Sequence, residues 1–168
     1  MADLLRTRWD QLAAAFVLAA GLGLFAAMPL WRWAGAPPQS RVAAIDVAEF
    51  EQRVEDFVAA HGTGEVEDGL PVVAPPPGEV PVIARRWQFY PALRLEAGQR
   101  YELHVASTDI LHGFALEGAG ADLLLPGGSA GVVTLVPQAP GRLAIQCSEY
   151  CGIEHNRMRA WVEVVGPQ

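Results

Sequence analysis

Residues 141–165 carry the most informative pattern in this chain and read GRLAIQCSEYCGIEHNRMRAWVEVV. Apolar and polar side chains alternate around Leu143 and Ile145, and residues 161–165 form a second β-rich run. These patterns predict a β-strand at each end. Both cysteines of the chain lie between the two predicted strands, together with a histidine and a methionine. The stretch therefore predicts a ligand-rich loop held between two strands.

The β pattern extends upstream to residue 80. Tyr101, Leu103 and Val105 alternate with polar side chains, and residues 132–136 form another β-rich run. Clusters of Gly, Pro and Asp separate these runs and mark turns. Several short strands at close spacing predict a small all-β sandwich or barrel over residues 80–168.

The N-terminal region has a different character. Residues 12–31 contain no charged or strongly polar side chain. A helix of that length spans roughly 30 Å, the thickness of the hydrocarbon core of a bilayer, so we predict one transmembrane helix within residues 1–33. A cleaved signal peptide is the alternative, because Ala34-Gly35-Ala36 resembles a cleavage site. The apolar stretch is longer than the roughly 7–15 residues of a signal-peptide core, which favours a retained anchor.

Residues 34–79 are predicted as a spacer between the anchor and the β-domain. Residues 34–45 have the composition of a linker, and residues 61–79 are rich in Gly and Pro and predict loop. Residues 46–60 predict a short amphipathic helix, because apolar residues recur there at helical spacing. Asp46 and Glu49 resemble a capping box at its start.

Composition excludes several classes of protein. The chain has 168 residues, of which 51% are hydrophobic and 18% charged, and its formal net charge is −7. The apolar fraction excludes a disordered chain, and the acidic balance argues against nucleic acid as a partner. Two cysteines are too few for a multi-disulfide scaffold. The length allows one compact domain with an extra element.

The loop between the two predicted strands carries soft metal ligands. Cys147, Cys151, His155 and Met158 lie within 12 residues of one another. Two thiolates, an imidazole and a thioether suit copper better than a hard cation, which prefers oxygen ligands. A second imidazole has to come from elsewhere in the chain. His112 is the best candidate, because it is expected on a neighbouring strand or turn.

This set exceeds that of a mononuclear blue-copper site, which uses one Cys, two His and a weak Met. Two thiolates can bridge two copper ions, with one histidine on each ion. Met158 then serves one copper as a weak ligand, and the backbone carbonyl of Glu149 serves the other. A Cys147–Cys151 disulfide and a zinc site of two Cys and two His are the alternatives. Neither alternative employs Met158.

The other histidines are not predicted to bind metal. His104 alternates onto a polar face of its strand and is predicted to be solvated, and His61 is predicted to be exposed in a Gly-rich loop. Asp109 and Ser107 lie close in sequence to His112. They are candidates for hydrogen bonds that fix the tautomer of its ring.

The motif Cys-x-Glu-x-Cys-Gly-x-x-His-x-x-Met, preceded by Asp-x-x-His-Gly-Phe, resembles subunit II of the haem–copper cytochrome c oxidases. The resemblance covers roughly residues 80–165, and the single predicted membrane helix is similar to the B-type oxidases. It implies a cupredoxin-like Greek-key sandwich or barrel with a dinuclear copper centre, CuA. The CuA ligands that it implies are His112, Cys147, Glu149 through its carbonyl, Cys151, His155 and Met158.

The resemblance also implies a function and a location. Cytochrome c, or another small periplasmic donor, delivers electrons to CuA, which passes them to a haem in oxidase subunit I, where oxygen is reduced. No substrate bond is broken in this chain, so no catalytic residue is expected, and the chain is an enzyme only as part of a proton-translocating oxidase. The implied location is the inner membrane of a prokaryote, with the N-terminus in the cytoplasm and the CuA domain in the periplasm.

Two further features concern the surroundings of the implied CuA centre. Glu149 stands where Gln is expected in B-type relatives. In other oxidases the side chain of this Glu contributes to a magnesium site shared with subunit I, and simple solvation is the alternative here. The segment around Trp87 and Phe89 resembles the aromatic segment that receives electrons in the family. The alternative for either residue is a strand aromatic packed in the core.

Other functions are compatible with parts of this pattern. A membrane-tethered, stand-alone copper electron-transfer protein would share the copper chemistry but need no subunit I. A copper-delivery protein can also use Cys-x₃-Cys, but it would have little use for a closed ligand set. The subunit II of a quinol oxidase shares the fold and lacks the copper ligands, so Cys147 and Cys151 argue against it.

Overall fold

The computed structural model describes residues 2–35 and 42–166 and divides the chain into two units, Met1–Gln39 and Ser40–Gln168. Residues 36–41 of the predicted linker lie outside the described residues. The first unit contains helix α1, Ala2–Gly35. Within it, Arg8–Leu30 is long and apolar enough to cross a membrane. This fits a protein that crosses a membrane once.

The second unit is built mainly from short strands. Its elements, in chain order, are β1 (Ala43–Ala44), α2 (Val47–His61), β2 (Gly62–Glu67), β3 (Leu70–Val73), β4 (Gly78–Arg85), β5 (Gln88–Tyr90), β6 (Ala92–Glu96), β7 (Tyr101–Ser107), β8 (His112–Leu116), β9 (Ala121–Leu125), β10 (Ser129–Leu135), β11 (Gly141–Gln146), a 3₁₀ helix (His155–Arg157) and β12 (Arg159–Val165).

The strands form two sheets around one core. One sheet has the order β1-β10-β7-β4-β5, and the other has the order β2-β3-β6-β12-β11-β8-β9. Val82 and Leu103 of the first sheet and Phe114 and Val162 of the second belong to the same buried cluster. The period-two strands predicted around residues 101–105, 132–136, 143–145 and 161–165 all form. The prediction of an all-β sandwich is confirmed.

Helix α2 covers the outer face of the first sheet. The side chain of Asp46 accepts a hydrogen bond of 3.0 Å from the backbone N–H of Glu49, which confirms the predicted cap. Phe50 and Val54 are the buried residues of the helix. They join a second apolar cluster, whose sheet residues include Ile83. The amphipathic pattern of the helix is therefore used to pack on the β-domain.

The prediction of loop for residues 61–79 is wrong, because most of this segment forms strands. β2 and β3 make a hairpin around the turn Asp68-Gly69, and both turn residues have positive φ. β3 then pairs in parallel with β6, and its Val72 and Val73 are buried. The Gly and Pro content thus marks a tight turn and the short Pro75–Pro77 loop. The part predicted as a spacer supplies strands to the sandwich.

Two predictions on histidines are also wrong. His61 is the last residue of α2, not part of a loop, and its ring is half-buried 4.6 Å from the ring of Phe57. His104 is half-buried, and its Nε2 is buried with no hydrogen-bond partner among the described residues. β7 is an inner strand of the first sheet, and His104 lies between Val132 of β10 and Pro81 of β4, which the alternation within β7 does not reveal.

One arginine connects the β2–β3 hairpin to the middle of its own sheet, the second sheet. Arg94 on β6 donates to both carboxylate oxygens of Glu65 on β2 at 2.8 Å and to Glu163 on β12 at 2.6 Å. A bidentate pair of this kind is stronger than an ordinary surface ion pair. The hydrogen bonds and the charge of Arg94 hold the pKa of Glu65 below its ordinary value.

We expect Arg94→Gln to lower the midpoint of thermal unfolding by a few degrees at neutral pH, because Glu65 and Glu163 lose their shared cation. A carboxylate with a lowered folded-state pKa stabilises the fold above its unfolded pKa, and this contribution is lost as the pH falls through the folded-state pKa. The difference between wild type and variant should therefore shrink below about pH 4. Circular dichroism of the detergent-solubilised chain measures the midpoint of thermal unfolding at each pH.

Arg100→Gln is the control, because it breaks an exposed ion pair, with Glu102, within one segment of the chain. An equal effect in that control would contradict the prediction.

Candidate metal centre

The predicted ligands converge at one end of the sandwich. Cys147 follows the last residue of β11, and Met158 precedes the first residue of β12. The backbone N–H of Cys147 donates to the carbonyl of Met158 at 3.1 Å, which closes the loop between these paired strands. His112 starts β8, which pairs with β11. The sheet thus brings a residue 35 positions upstream to the same point as the loop.

The two sulfurs lie at the middle of this cluster. Cys147 Sγ is 3.6 Å from Cys151 Sγ, and both cysteines are free thiols. Cys147 Sγ is 3.9 Å from His112 Nδ1, and Cys151 Sγ is 3.6 Å from His155 Nδ1. The ligand atoms of His112, Cys147 and Cys151 all lie within 4.8 Å of one another. Each sulfur therefore has one imidazole nitrogen beside it.

The two weak donors lie at the same point. Met158 Sδ is 3.6 Å from Cys151 Sγ, and the carbonyl oxygen of Glu149 is 3.1 Å from Cys147 Sγ. Met158 and both cysteines are buried. The structure thus brings together all of the ligand atoms predicted from the sequence. Soft sulfur and imidazole donors in this number and arrangement fit copper.

Burial favours the protonated form of the Cys151 thiol before a metal binds. Burial, together with the neighbouring Cys147, raises the pKa of the Cys151 thiol to about 11. The metal-free protein therefore keeps this thiol protonated at neutral pH. Since a metal binds the thiolate, loading of the site has to displace a proton.

Asp109 fixes the ring of His112. Asp109 Oδ1 lies 2.8 Å from His112 Nε2, while His112 Nδ1 faces the sulfurs. Partial burial by itself raises the pKa of Asp109, but hydrogen bonds from the Arg86 backbone, His112, Ile110 and the Arg86 side chain outweigh it and lower the pKa to about 2. The ionised carboxylate accepts a hydrogen bond from the Nε2–H of His112, so Nδ1 is left free to bind a metal. Ser107 instead donates to the carbonyl of Ile110.

A glycine allows the two ligand segments to approach each other. A Cβ added at Gly113, next to His112, would lie 2.8 Å from the backbone nitrogens of both Ser148 and Glu149. The hydroxyl of Ser148 also donates to Asp122 on β9 at 2.6 Å. The start of the cysteine loop is therefore packed directly on the β8–β9 hairpin.

The two aromatic candidates have different environments. Trp87 is 36% exposed, and its Nε1–H donates to the carbonyl of Cys151 at 3.0 Å. Phe89 is buried and makes an edge contact with Phe114, with ring centroids 5.4 Å apart. Phe89 thus corresponds to the core-packing alternative. The side chain of Glu149 is exposed.

Sequence reasoning missed one residue near the site. Arg86 contacts Asp109 through both its backbone N–H and its Nε–H, although the two residues are 23 positions apart. No sequence pattern links these positions. The parallel pairing of β4 with β7 places Arg86 and Asp109 side by side. A correct prediction of that strand pairing would have identified Arg86 as a neighbour of the site.

The fold and the site together define a cupredoxin-like protein with copper-binding features. Residues 91–165 match the family model described as cytochrome c oxidase subunit II, periplasmic domain. The predicted resemblance to the cytochrome c oxidase subunit II family is thereby confirmed over these residues.

Two curated relatives, both named cytochrome c oxidase subunit 2 and both from Thermus thermophilus, agree with this family. One is 30% identical over 78 residues, which are 46% of this chain and 58% of the relative. The other is 28% identical over 78 residues, which are 46% of each chain. The matched region therefore spans about half the length of these relatives.

Solved structures support the fold. A chain from a cryo-EM structure of a heme-copper terminal oxidase dimer has a TM-score of 0.53 at 18% identity, with 91% of this chain and 98% of that chain covered. The crystal structure of His143Met rusticyanin has a TM-score of 0.55 at 16% identity, with 76% of this chain and 100% of that chain covered. At these identities the similarity concerns the fold alone.

Proposed function

We propose that this protein is the subunit through which electrons enter a terminal haem–copper oxidase. The observation that carries the proposal is the convergence of two thiols, two imidazole nitrogens, a thioether and a backbone carbonyl at one buried point. When bound there, a dinuclear CuA centre would supply reversible one-electron transfer between a donor and a haem of oxidase subunit I.

The protein's own groups suit electron transfer better than substrate chemistry. Cys147 and Cys151 are close enough to share two metal ions, and each has its own histidine. Met158 and the Glu149 carbonyl complete the set from the protein side. A site closed by protein ligands leaves no position for a substrate, and its fixed geometry reduces the rearrangement between oxidation states.

The proposed partners are oxidase subunit I, the lipid bilayer and cytochrome c or another small periplasmic donor. Residues 1–33 would anchor the chain in the inner membrane of a prokaryote, with the N-terminus in the cytoplasm and the metal-binding domain in the periplasm. Trp87 is the proposed point of electron arrival, because its exposed indole contacts the carbonyl of Cys151. The buried Phe89 is a weaker candidate for direct contact with a donor.

The Glu149 side chain is the proposed contribution of this chain to a magnesium site shared with subunit I. Its backbone carbonyl points to the sulfurs, while its carboxylate belongs to an exposed residue. The carboxylate is thus accessible to a second protein. Because Mg²⁺ favours octahedral coordination by oxygen, subunit I and water would supply the remaining ligands.

Copper loading of the full chain in detergent tests the proposal. We expect two copper ions per chain by elemental analysis, and an EPR spectrum with the hyperfine pattern of one electron shared by two copper nuclei. The physical reason is the short distance between the two sulfurs, which would let Cys147 and Cys151 together hold two copper ions. The spectrum of a single copper nucleus, or preferential loading with zinc and no EPR signal, would overturn the dinuclear assignment.

A further inference from the structure

The turn between β4 and β5, Arg86-Trp87, contacts both segments that carry the metal ligands. The backbone N–H and the Nε–H of Arg86 donate to Asp109 Oδ2 at 3.0 and 3.1 Å. The Nε1–H of Trp87 donates to the carbonyl of Cys151 at 3.0 Å. One side of the turn therefore faces the segment before His112, and the other faces the cysteine loop.

Sheet topology explains why this turn lies at the site. β4 and β7 are parallel neighbours, with Ala84 opposite Ser107. The segments that leave the carboxyl ends of parallel strands emerge at the same edge of a sheet. A hydrogen bond of 3.3 Å from the Thr108 N–H to the Ala84 carbonyl continues the pairing beyond β7. Arg86 and Asp109 are consequently brought together by backbone pairing.

Asp109 is held through both of its carboxylate oxygens. Oδ2 accepts from Arg86 twice, whereas Oδ1 accepts from the Ile110 N–H at 2.7 Å and lies 2.8 Å from His112 Nε2. Separate partners on the two oxygens prevent the carboxylate from rotating. The direction of the His112 ring is therefore fixed by a group that Arg86 itself holds in place.

Trp87 lies directly against the cysteine loop. A Cβ added at Gly152 would be 3.2 Å from Trp87 Nε1 and 3.4 Å from its Cζ2, and the φ of Gly152 is +117°. Glycine at this position thus permits both the backbone conformation and the close approach of the indole. The contact restrains the loop at Cys151, whose sulfur is adjacent to those of Cys147 and Met158.

We propose that Arg86 and Trp87 are positioning residues that hold the two halves of the metal site in register. Arg86 acts through Asp109 on His112, and Trp87 acts through the carbonyl of Cys151 on the cysteine loop. This inference rests on the proposed copper function. It assigns Trp87 a role that is independent of electron arrival, because a hydrogen bond to the loop restrains the ligands even when no donor is bound.

Arg86→Gln tests the first half of the proposal, with Arg85→Gln as its matched control. The guanidinium of Arg85 lies over the ring of Tyr90, 5.3 Å from its centroid, instead of on Asp109. In Arg86→Gln, Asp109 loses the side-chain donor that restrains its carboxylate, so the His112 ring is held less firmly in its orientation. We expect a shifted reduction potential and an altered copper hyperfine pattern, with copper content unchanged and Arg85→Gln like wild type.

A measurement on the copper-free chain complements these readouts. In Arg86→Gln the carboxylate of Asp109 keeps only the backbone N–H of Arg86 on Oδ2. The Nε2 proton of His112 should therefore exchange with solvent several-fold faster by NMR than in wild type and in Arg85→Gln.

Trp87→Phe tests the second half, with Trp161→Phe as its matched control. Trp161 is 38% exposed, close to the 36% of Trp87, and it packs under Arg142 on the second sheet. Phe retains an aromatic ring but has no N–H donor. Loss of one hydrogen bond to the loop should speed copper release to a chelator about five- to tenfold. Backbone amides of residues 148–155 should also exchange faster in the copper-free chain.

The outcomes separate this inference from the proposed function. If Arg86→Gln and Trp87→Phe match their controls in potential, hyperfine pattern and exchange rates, the positioning proposal is overturned, even when wild type binds two coppers. If wild type fails to show a shared-electron spectrum, the dinuclear copper centre of the proposed function is overturned. The exchange measurements on the copper-free chain still decide whether the turn restrains His112 and the loop.

Discussion

Cys151→Ser is expected to abolish the EPR pattern of an electron shared by two copper nuclei and to reduce the copper content to one ion or fewer per chain. Cys151 Sγ lies 3.6 Å from each of Cys147 Sγ, His155 Nδ1 and Met158 Sδ. Its removal would take away one of the two sulfurs proposed to hold two copper ions together, and it would leave His155 and Met158 without the thiol beside them. A serine hydroxyl is a hard oxygen ligand that loses its proton much less readily than a thiol, so it does not replace a thiolate on copper. Elemental analysis and EPR of the full chain measure the loss.

Met158→Leu is the matched variant for this prediction. It removes a buried sulfur from the same cluster but keeps both thiolates and both histidines. We expect it to retain two copper ions and the shared-electron pattern, with an altered reduction potential, because a weak ligand tunes the metal without holding it. Retention of the shared-electron pattern by Cys151→Ser, or its complete loss in Met158→Leu, would be inconsistent with two bridging cysteines.

Gly113→Ala adds a single methyl group, and we expect it to lower the free energy of unfolding of the β-sandwich and to reduce copper binding at the metal site. The added Cβ would lie 2.8 Å from the backbone nitrogens of Ser148 and Glu149 and would also meet the hydroxyl of Ser148. Backbone cannot move aside without shifting the loop that contains Cys147. Overpacking of this kind costs about 1–3 kcal/mol. Thermal or chemical unfolding measures the loss of stability, and copper content reports the damage to the site.

Two controls identify the cause of this effect. Gly166→Ala places its Cβ where no heavy atom lies within 4 Å, so it should change stability little. Ser148→Ala combined with Gly113→Ala removes the hydroxyl but leaves both backbone clashes, so it should not restore stability. Full recovery in this double variant would mean that the Ser148 side chain, rather than the loop backbone, limits the approach of the two segments.

Sequence patterns predicted secondary structure correctly where the structure of a segment depends only on residues within that segment. The alternation around Leu143 and Ile145 predicted a strand, and Asp46 predicted a helix cap, because each depends on neighbouring residues alone. The prediction of loop for residues 61–79 failed for the corresponding reason. Val72 and Val73 are stabilised as strand by pairing with β6, and a contact between distant segments leaves no trace in local composition.

The same division applies to the metal site. The types of donor atom followed from the sequence alone, because the two cysteines, His155 and Met158 lie within one loop, and the spacing of a loop limits which side chains can meet. The sequence also indicated His112 as the second imidazole. The sequence did not show which ring nitrogen of His112 faces the sulfurs, because that depends on the contact with Asp109 in the folded chain.

The role of the Arg86-Trp87 turn belongs entirely to the tertiary structure. The turn reaches Asp109 and Cys151 because β4 and β7 run in parallel and end at the same edge of the sheet. Residue types and spacings along a chain fix the chemistry of a local loop. The orientation of His112 and of the cysteine loop is proposed to depend on hydrogen bonds that Arg86 and Trp87 donate to Asp109 and Cys151, 23 and 64 residues away. Only the pairing of the strands brings these residues within reach.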